Sequence, residues 1–274
     1  MMPELPEVEV TRLGLKSLIS GKVCDVKIRN HSLRWPVNSN LKTILKSQEL
    51  KSLSRRGKYI LAAFSSGYLI IHLGMSGKIS IASEKKEPIK HDHIDIYFNM
   101  GKSKKIFRYN DTRRFGAIIW TDEDPFKHKL LSSLGPEPLS DQFNASYLYE
   151  KVKRKKQLIK STIMDSNVVV GVGNIYASES LFLAGIKPQR KSQKIKKKEI
   201  EVLVRSIKIV IQSAIKKGGS TLNDFYSVNG QSGYFQNEHK VYARENQPCT
   251  NCDEKISQIR ISQRSSFYCN KCQV

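Results

Sequence analysis

Four of the five cysteines stand in the last 26 residues, as Cys249-x2-Cys252 and, sixteen residues on, Cys269-x2-Cys272. Two CxxC pairs at this spacing can sit at two tight turns and give four thiolates to one tetrahedral zinc. The competing reading is a pair of disulfides. Nothing in the sequence indicates an oxidising compartment, and a lone disulfide within CxxC is normally catalytic. One structural Zn2+ is therefore expected; with no open position it would hold the fold and take no part in chemistry. Cys24 is left over and, on the apolar face of an expected strand, should be an ordinary buried residue. Arg260, Arg264, Phe267 and Tyr268 lie between the pairs, on what should be a two-stranded ribbon. A zinc-stapled hairpin carrying arginine can reach into DNA, though ribbons also bind RNA and proteins.

A second chemical pattern is Gly171-Val172-Gly173-Asn174-Ile175-Tyr176. It has the look of a dinucleotide fingerprint, but the sixth position is Tyr176 and the flanks are helical, so the required strand–turn–helix context is missing. The better reading is a tight glycine turn between helices with Asn174 opening the second. Backbone N–H groups there would suit a DNA phosphate, and a turn that only packs helices stays open as the alternative.

The elements that must carry these groups fall into two textures. Over the first 125 or so residues, Cys24, Val26 and Ile28 alternate with Asp25, Lys27 and Arg29, and Ile94, Ile96, Phe98 and Met100 with Asp95, Tyr97 and Asn99. Further short runs at Tyr59–Phe64, Tyr68–Leu73, Ile79–Ala82 and Gly116–Thr121 complete the signature of a sandwich or barrel. One helix, Glu4 to Ser20, is expected ahead of them, closed by Gly21. Pro125, Gly135, Pro136 and Pro138 mark a stiff linker, after which the period becomes helical. Helices fit Ala145–Lys155, Gln157–Met164 and Ile175–Leu183. A longer one carries Ile200, Leu203, Val204, Ile207, Val210, Ile211, Ala214 and Ile215 on one face and stops at Gly218-Gly219.

Composition narrows the partners. The 274 residues carry 47 Lys+Arg against 25 Asp+Glu, a formal charge of +22, with 39% apolar residues. A polyanion is the partner that best tolerates such a charge. Between Lys151 and Lys217 there are 17 Lys/Arg and 4 Asp/Glu, so the helical region holds a net +13. No apolar run approaches the roughly 18 residues of a membrane helix, and the acidic start has no signal-peptide pattern, so a cytoplasmic protein without membrane contact is expected.

Separate pieces then meet in one pattern. Pro3-Glu4-Leu5-Pro6-Glu7-Val8-Glu9, Arg56-Gly57-Lys58-Tyr59, His72-Leu73-Gly74-Met75-Ser76-Gly77, Lys90-His91-Asp92-His93, Arg113-Arg114-Phe115-Gly116, Val170 to Tyr176 and the four cysteines resemble, in order and over the whole length, bacterial formamidopyrimidine-DNA glycosylases. The resemblance implies an α+β protein: an N-terminal β-sandwich with its helix (1–135), a helix–two-turns–helix DNA-binding domain (136–235) and a zinc-finger hairpin (236–274). DNA would lie in the cleft between them. Leu5-Pro6 matches the purine branch, whereas the endonuclease VIII type has Gly before its second proline.

By the same resemblance Pro3 is the nucleophile, Glu4 the general acid, Lys58 the group assisting β-elimination and Arg264 the one serving δ-elimination. A free N-terminal proline is a secondary amine with a pKa of about 8, and on reacting with a sugar aldehyde carbon it can form only a cationic iminium, an electron sink. Arg264 stays protonated, so phosphate clamping suits it better than proton transfer. His91, Arg113 and Lys155 match the family's DNA contacts and Asn174 its phosphate turn. Met75, Arg113 and Phe115 match the side chains that fill the gap left by an everted nucleotide. The loop from Gly218 to Tyr234 would cover the everted base. Thr112 stands where the family usually has Pro, which would loosen the turn presenting Arg113. The family begins with a single methionine, so translation is expected to start at Met2, and a chain keeping Met2 should be inactive.

The resulting expectation is a monomeric, nucleoid-associated base excision repair enzyme. It would excise 8-oxoguanine and formamidopyrimidines from double-stranded DNA and nick the strand by β,δ-elimination. A pyrimidine-specific glycosylase and a non-catalytic zinc-ribbon nucleic-acid-binding protein are the alternatives.

Overall fold

The computed structural model describes residues 2–101, 103–220 and 235–274. The expected cover of the everted base falls largely on 221–234, outside the described residues. The described chain forms two compact units: residues up to Ser132 with Gly218–Ser220, and Ser133–Lys217 with residues from Phe235 onward.

The first unit opens with α1 (Leu5–Gly14), then β1 (Lys22–Ile28), α2 (Leu41–Leu45), β2 (Leu50–Arg56), β3 (Tyr59–Phe64) and β4 (Tyr68–His72). It continues through β5 (Gly77–Ala82), β6 (Asp92–Asn99), β7 (Lys104–Asp111) and β8 (Ala117–Thr121). Two four-stranded antiparallel sheets result, ordered β1-β6-β7-β5 and β2-β3-β4-β8. Val26, Ile96, Phe98 and Phe107 of one sheet and Ile60, Phe64, Leu69 and Ile71 of the other share one apolar core, closed by Val8, Leu15 and Leu18. This is the sandwich that the alternating runs require.

Three sequence expectations are corrected here. The N-terminal helix is α only to Gly14 and then tightens into a 3-10 turn over Leu15–Leu18, so it does not run to Ser20. Cys24 is exposed. A bulge between Val23 and Asp25 adds a residue to β1, so Val23 and Val26 take the core face and Cys24 is turned out. Asp95, assigned to the polar face of its strand, is fully buried, because Arg108 of β7 and Arg29, just after β1, cover it. Strands β2 and β7 were hidden by charge: LKSLSRR and KKIFRYND carry too many polar side chains for alternation to show.

The second unit holds α3 (Ala145–Val152), α4 (Ile159–Ile163), α5 (Asn174–Leu183), α6 (Lys197–Lys216) and the hairpin β9 (Ile256–Ile261) with β10 (Arg264–Cys269). The helix α6 buries the predicted face from Ile200 to Ala214, with Ile215 half-buried, and ends at Gly218, whose φ is 77°. The helix α5 is buried from Ile175 to Phe182 and packs against both α6 and β10. Glu179 on it accepts backbone N–H groups from Lys240, Val241 and Tyr242 at 2.8–3.1 Å, fixing the approach to the hairpin. Burial pushes the Glu179 carboxyl up, and those three donors work against the rise.

Candidate active site and nucleic-acid interface

In the first unit the groups expected to do chemistry are set by helix α1 and the β2–β3 turn. Half-buried Pro3 immediately precedes Glu4, the N-cap of α1, which is 2% exposed. The Glu4 N–H donates to Glu7 Oε2 at 2.9 Å, and Glu7 Oε1 accepts the Ser220 N–H at 2.8 Å. The chain can come this close because residue 219 is glycine: a Cβ there, at φ 81°, would lie 2.8 Å from Glu7 Oε1. Gly57 takes φ 56° in the turn that carries Lys58.

One carboxylate ties helix to turn. Glu9 accepts Arg12 Nη2 at 2.6 Å and Arg55 Nε at 3.0 Å, Arg12 Nη1 donates to Leu53 O, and Arg55 Nη1 donates to Gly57 O at 3.0 Å. Burial alone would raise the Glu9 carboxyl, but hydrogen bonds and charge from Arg12 and Arg55 outweigh it and hold the group below the usual carboxylate range. Helix α1, which positions Pro3 and Glu4, is thus fixed to the strand and turn that position Lys58.

Met75, Arg113 and Phe115 converge on one pocket of about 540 Å³ that His72, Arg34 and Leu33 also line. Met75 is half-buried, Phe115 is 44% exposed, and the Arg113 guanidinium stands 4.9 Å from the Phe115 ring centre. Their two loops meet backbone to backbone: Gly74 has φ 60°, and a Cβ on it would strike Phe115 and Gly116. Beneath them His72 Nδ1 accepts the Gly74 N–H at 3.1 Å, and the imidazole lies 4.7 Å from the Tyr59 ring. Burial, then the charges of Lys58 and Arg34, lower His72 to about 4, so it is neutral at physiological pH. His91 enters β6 at φ 71°, half-buried, its ring edge-on to His93.

In the second unit, Asn174 is the first residue of α5, and its Nδ2 donates to Ser265 O at 3.1 Å while its Oδ1 is buried without a partner among the described residues. Lys155 pairs with Asp165 at 3.2 Å, so part of its charge is already compensated. Arg264 is exposed at the start of β10, after a two-residue turn in which Ser262 and Gln263 both have positive φ. Behind it, buried Lys160 donates to Ser265 O and Ser266 Oγ at 3.2 and 2.8 Å. The Sγ atoms of Cys249, Cys252, Cys269 and Cys272 lie within 4.8 Å of one another, with Cys252–Cys269 at 3.5 Å and Cys249–Cys272 at 3.9 Å. A tetrahedral zinc with bonds of about 2.3 Å needs sulfurs about 3.8 Å apart, so the four thiolates fit one zinc ion.

Sequence reasoning missed Glu7, Glu9, Asp95, Arg108, Asp111, Lys160 and Glu179. Each is a charged residue that takes at least one partner 13 or more residues away, so the sequence shows the charge but not what it meets.

Family models agree with this layout. Residues 2–118 match the formamidopyrimidine-DNA glycosylase N-terminal domain, 134–226 the H2TH domain and 246–274 the zinc finger found in FPG and IleRS. The chain is 50% identical over 273 residues to the formamidopyrimidine-DNA glycosylase of Legionella pneumophila (strain Lens), covering 99% of this chain and 98% of that protein. To that of Cellvibrio japonicus it is 48% identical, covering 99% and 100%. Among solved structures it is similar to a Lactococcus lactis FPG mutant bound to Fapy-dG DNA, with a TM-score of 0.90, 32% identity and 99% of each chain covered. It is also similar to the MutM (FPG) protein of Thermus thermophilus, with a TM-score of 0.87, 32% identity and 99% and 98% covered.

Proposed function

The chain belongs to the formamidopyrimidine-DNA glycosylase family and is a zinc-finger DNA glycosylase and abasic-site lyase of base excision repair, and we propose how its own residues carry out that reaction. Its substrate is damaged double-stranded DNA, with oxidised purines as the lesions. We divide the chain into a catalytic part (1–135), a helical DNA-binding part (136–235) and a zinc finger (236–274), acting as a monomer in the cytoplasm at the nucleoid. Among the described residues no helix is long and apolar enough to cross a membrane.

Pro3 supplies the nucleophile. Its nitrogen lone pair attacks C1′, the glycosidic bond breaks, and the base leaves with that electron pair and takes up a proton. The amine loses its own proton, and opening of the C1′–O4′ bond, with a proton from Glu4 to O4′, leaves an iminium cation. The N-terminal end of α1 disfavours a protonated amine, and the Glu4 carboxylate then offsets the iminium charge. Loss of a C2′ proton expels the 3′-phosphate, with Lys58 assisting. A second elimination expels the 5′-phosphate, with Arg264 clamping it. Met75, Arg113 and Phe115 fill the vacated stack, and His91, Lys155 and Asn174 hold phosphates. Zinc, held by Cys249, Cys252, Cys269 and Cys272, keeps Arg264 on a rigid hairpin.

One observation carries the reading: Pro3 directly precedes a buried N-cap Glu4, and Glu9 joins that helix to the Lys58 turn. An amine exists at Pro3 only once Met1 and Met2 are removed. Borohydride trapping tests it, using chain that begins at Pro3 and duplexes carrying 8-oxoguanine or an oxidised pyrimidine. A covalent adduct is expected on the purine lesion and is lost in Pro3→Gly. No adduct, or one unchanged in Pro3→Gly, overturns the mechanism, and preference for the pyrimidine overturns the lesion class.

A further inference from the structure

The two loops that carry Met75, Arg113 and Phe115 share one buried anion. Asp111, the last residue of β7, is 0% exposed. Its Oδ1 accepts the Ser76 hydroxyl at 2.6 Å and the Arg113 N–H at 3.3 Å, while Oδ2 accepts the Gly116 N–H at 2.8 Å and the Tyr109 hydroxyl at 3.1 Å. Ser76 Oγ in turn accepts the Arg113 N–H at 2.9 Å. The Asp111 carbonyl accepts the Arg114 N–H at 3.3 Å and meets His93 Nε2 at 2.7 Å. Burial of a carboxylate is costly unless its lone pairs are taken up, so the four donors are held to it as strongly as it is to them. Three of those donors belong to Ser76, the residue after Met75, to Arg113 itself, and to Gly116, the residue after Phe115.

We propose that Asp111 is the positioning residue for stack filling: its carboxylate sets Met75, Arg113 and Phe115 as one rigid wedge that enters the duplex when the damaged nucleotide leaves. Thr112, Arg113, Arg114 and Phe115 are all exposed, so their loop has little burial of its own to fix it. Loops that must be ordered during insertion slow eversion, because their backbone conformational entropy is then lost at that step. Asp111 removes that loss in advance. The inference rests on the stack-filling role read for the three side chains, and the hydrogen-bonded turn from Asp111 to Arg114 adds an independent handle. Thr112 occupies its second position, where proline is well accommodated and fixes φ.

The test uses chain beginning at Pro3 and four variants: Asp111→Asn, Ser76→Ala, Asp111→Asn with Thr112→Pro, and Arg113→Ala. The readouts are single-turnover excision of 8-oxoguanine opposite cytosine, and the fluorescence of 2-aminopurine placed beside the orphaned base. Asparagine keeps one acceptor oxygen and loses the other, so excision is expected to slow about tenfold and the fluorescence change to shrink, with affinity for undamaged duplex kept within twofold. Ser76→Ala removes one link and should slow excision about threefold. It decides the question if Asp111→Asn does not fold. Thr112→Pro should restore part of the lost rate. If Arg113→Ala changes neither readout, the stack-filling reading fails. If Arg113→Ala lowers both while Asp111→Asn and Ser76→Ala leave them at the parent level, Asp111 is a structural carboxylate only and the proposal is overturned.

Discussion

The buried His72 makes a quantitative prediction about acid stability. In the unfolded chain its imidazole takes a proton near pH 6.5, and in the folded protein only near about 4, because burial and the charges of Lys58 and Arg34 oppose the cation. Between those values the unfolded state binds more protons, so stability is complete above pH 6.5 and falls as the pH drops toward 4. Integrating that difference from pH 7.5 to pH 5 gives a loss of about 2 kcal/mol from this one side chain. Other groups also titrate over the range, so the measurement is a difference. His72→Asn removes the titration, and its amide oxygen can stand where Nδ1 accepts the Gly74 N–H. Both tryptophans, Trp35 and Trp120, lie in the same unit as His72, so urea unfolding followed by their fluorescence reports on that unit. The parent protein should lose about 2 kcal/mol more than His72→Asn between the two pH values. Parallel pH dependences would show that His72 is as easily protonated folded as unfolded, and the reasoning would fail.

Two further outcomes follow from groups already described. Asp95 is fully buried and accepts Arg108 Nε and Nη2, both at 2.9 Å, and Arg29 Nη2 at 2.5 Å. Asp95→Asn leaves two guanidinium groups facing a neutral amide and should cost about 3–5 kcal/mol in the same urea experiment, whereas a loss below about 1 kcal/mol would refute the buried-pair account. Zinc removal by a chelator should release four titratable thiols and abolish DNA binding measured by fluorescence anisotropy, with recovery on adding zinc back. Affinity retained after stoichiometric zinc release would contradict the hairpin's role.

What could be read from the sequence was what local chemistry dictates. The cysteine spacing sufficed for the zinc site, because two CxxC pairs bring their own geometry. Helix α6 was legible because its apolar face repeats at the helical period and Gly218 ends it. The β-bulge at Cys24 was not legible: one inserted residue reverses the inward and outward faces of β1 ahead of Asp25, and nothing in KVCDVKI marks the insertion. Nor were β2 and β7, where strand residues carry the charges that build the site. Arg55 and Arg108 read as solvent-facing until Glu9 and Asp95, 46 and 13 residues away, are placed against them. Asp111 is the extreme case. Three of its donors, Tyr109, Arg113 and Gly116, are close in sequence, but the fourth, Ser76, lies 35 residues away, and it is that bond which joins the two loops.

The bond from Ser220 to Glu7 also bears on how the protein is made. The unit that begins with helix α1 runs to Ser132 and is completed by Gly218–Ser220, which emerge only after the whole Ser133–Lys217 segment has been synthesised. At bacterial elongation rates of about 5–20 residues per second, that interval lasts several seconds or more. Throughout it the Ser220 N–H that Glu7 Oε1 accepts in the folded protein has not yet been made. A ribosome-bound chain stopped before residue 218 is therefore an incomplete version of its own first unit, and the N-terminal helix acquires its final environment only late in translation.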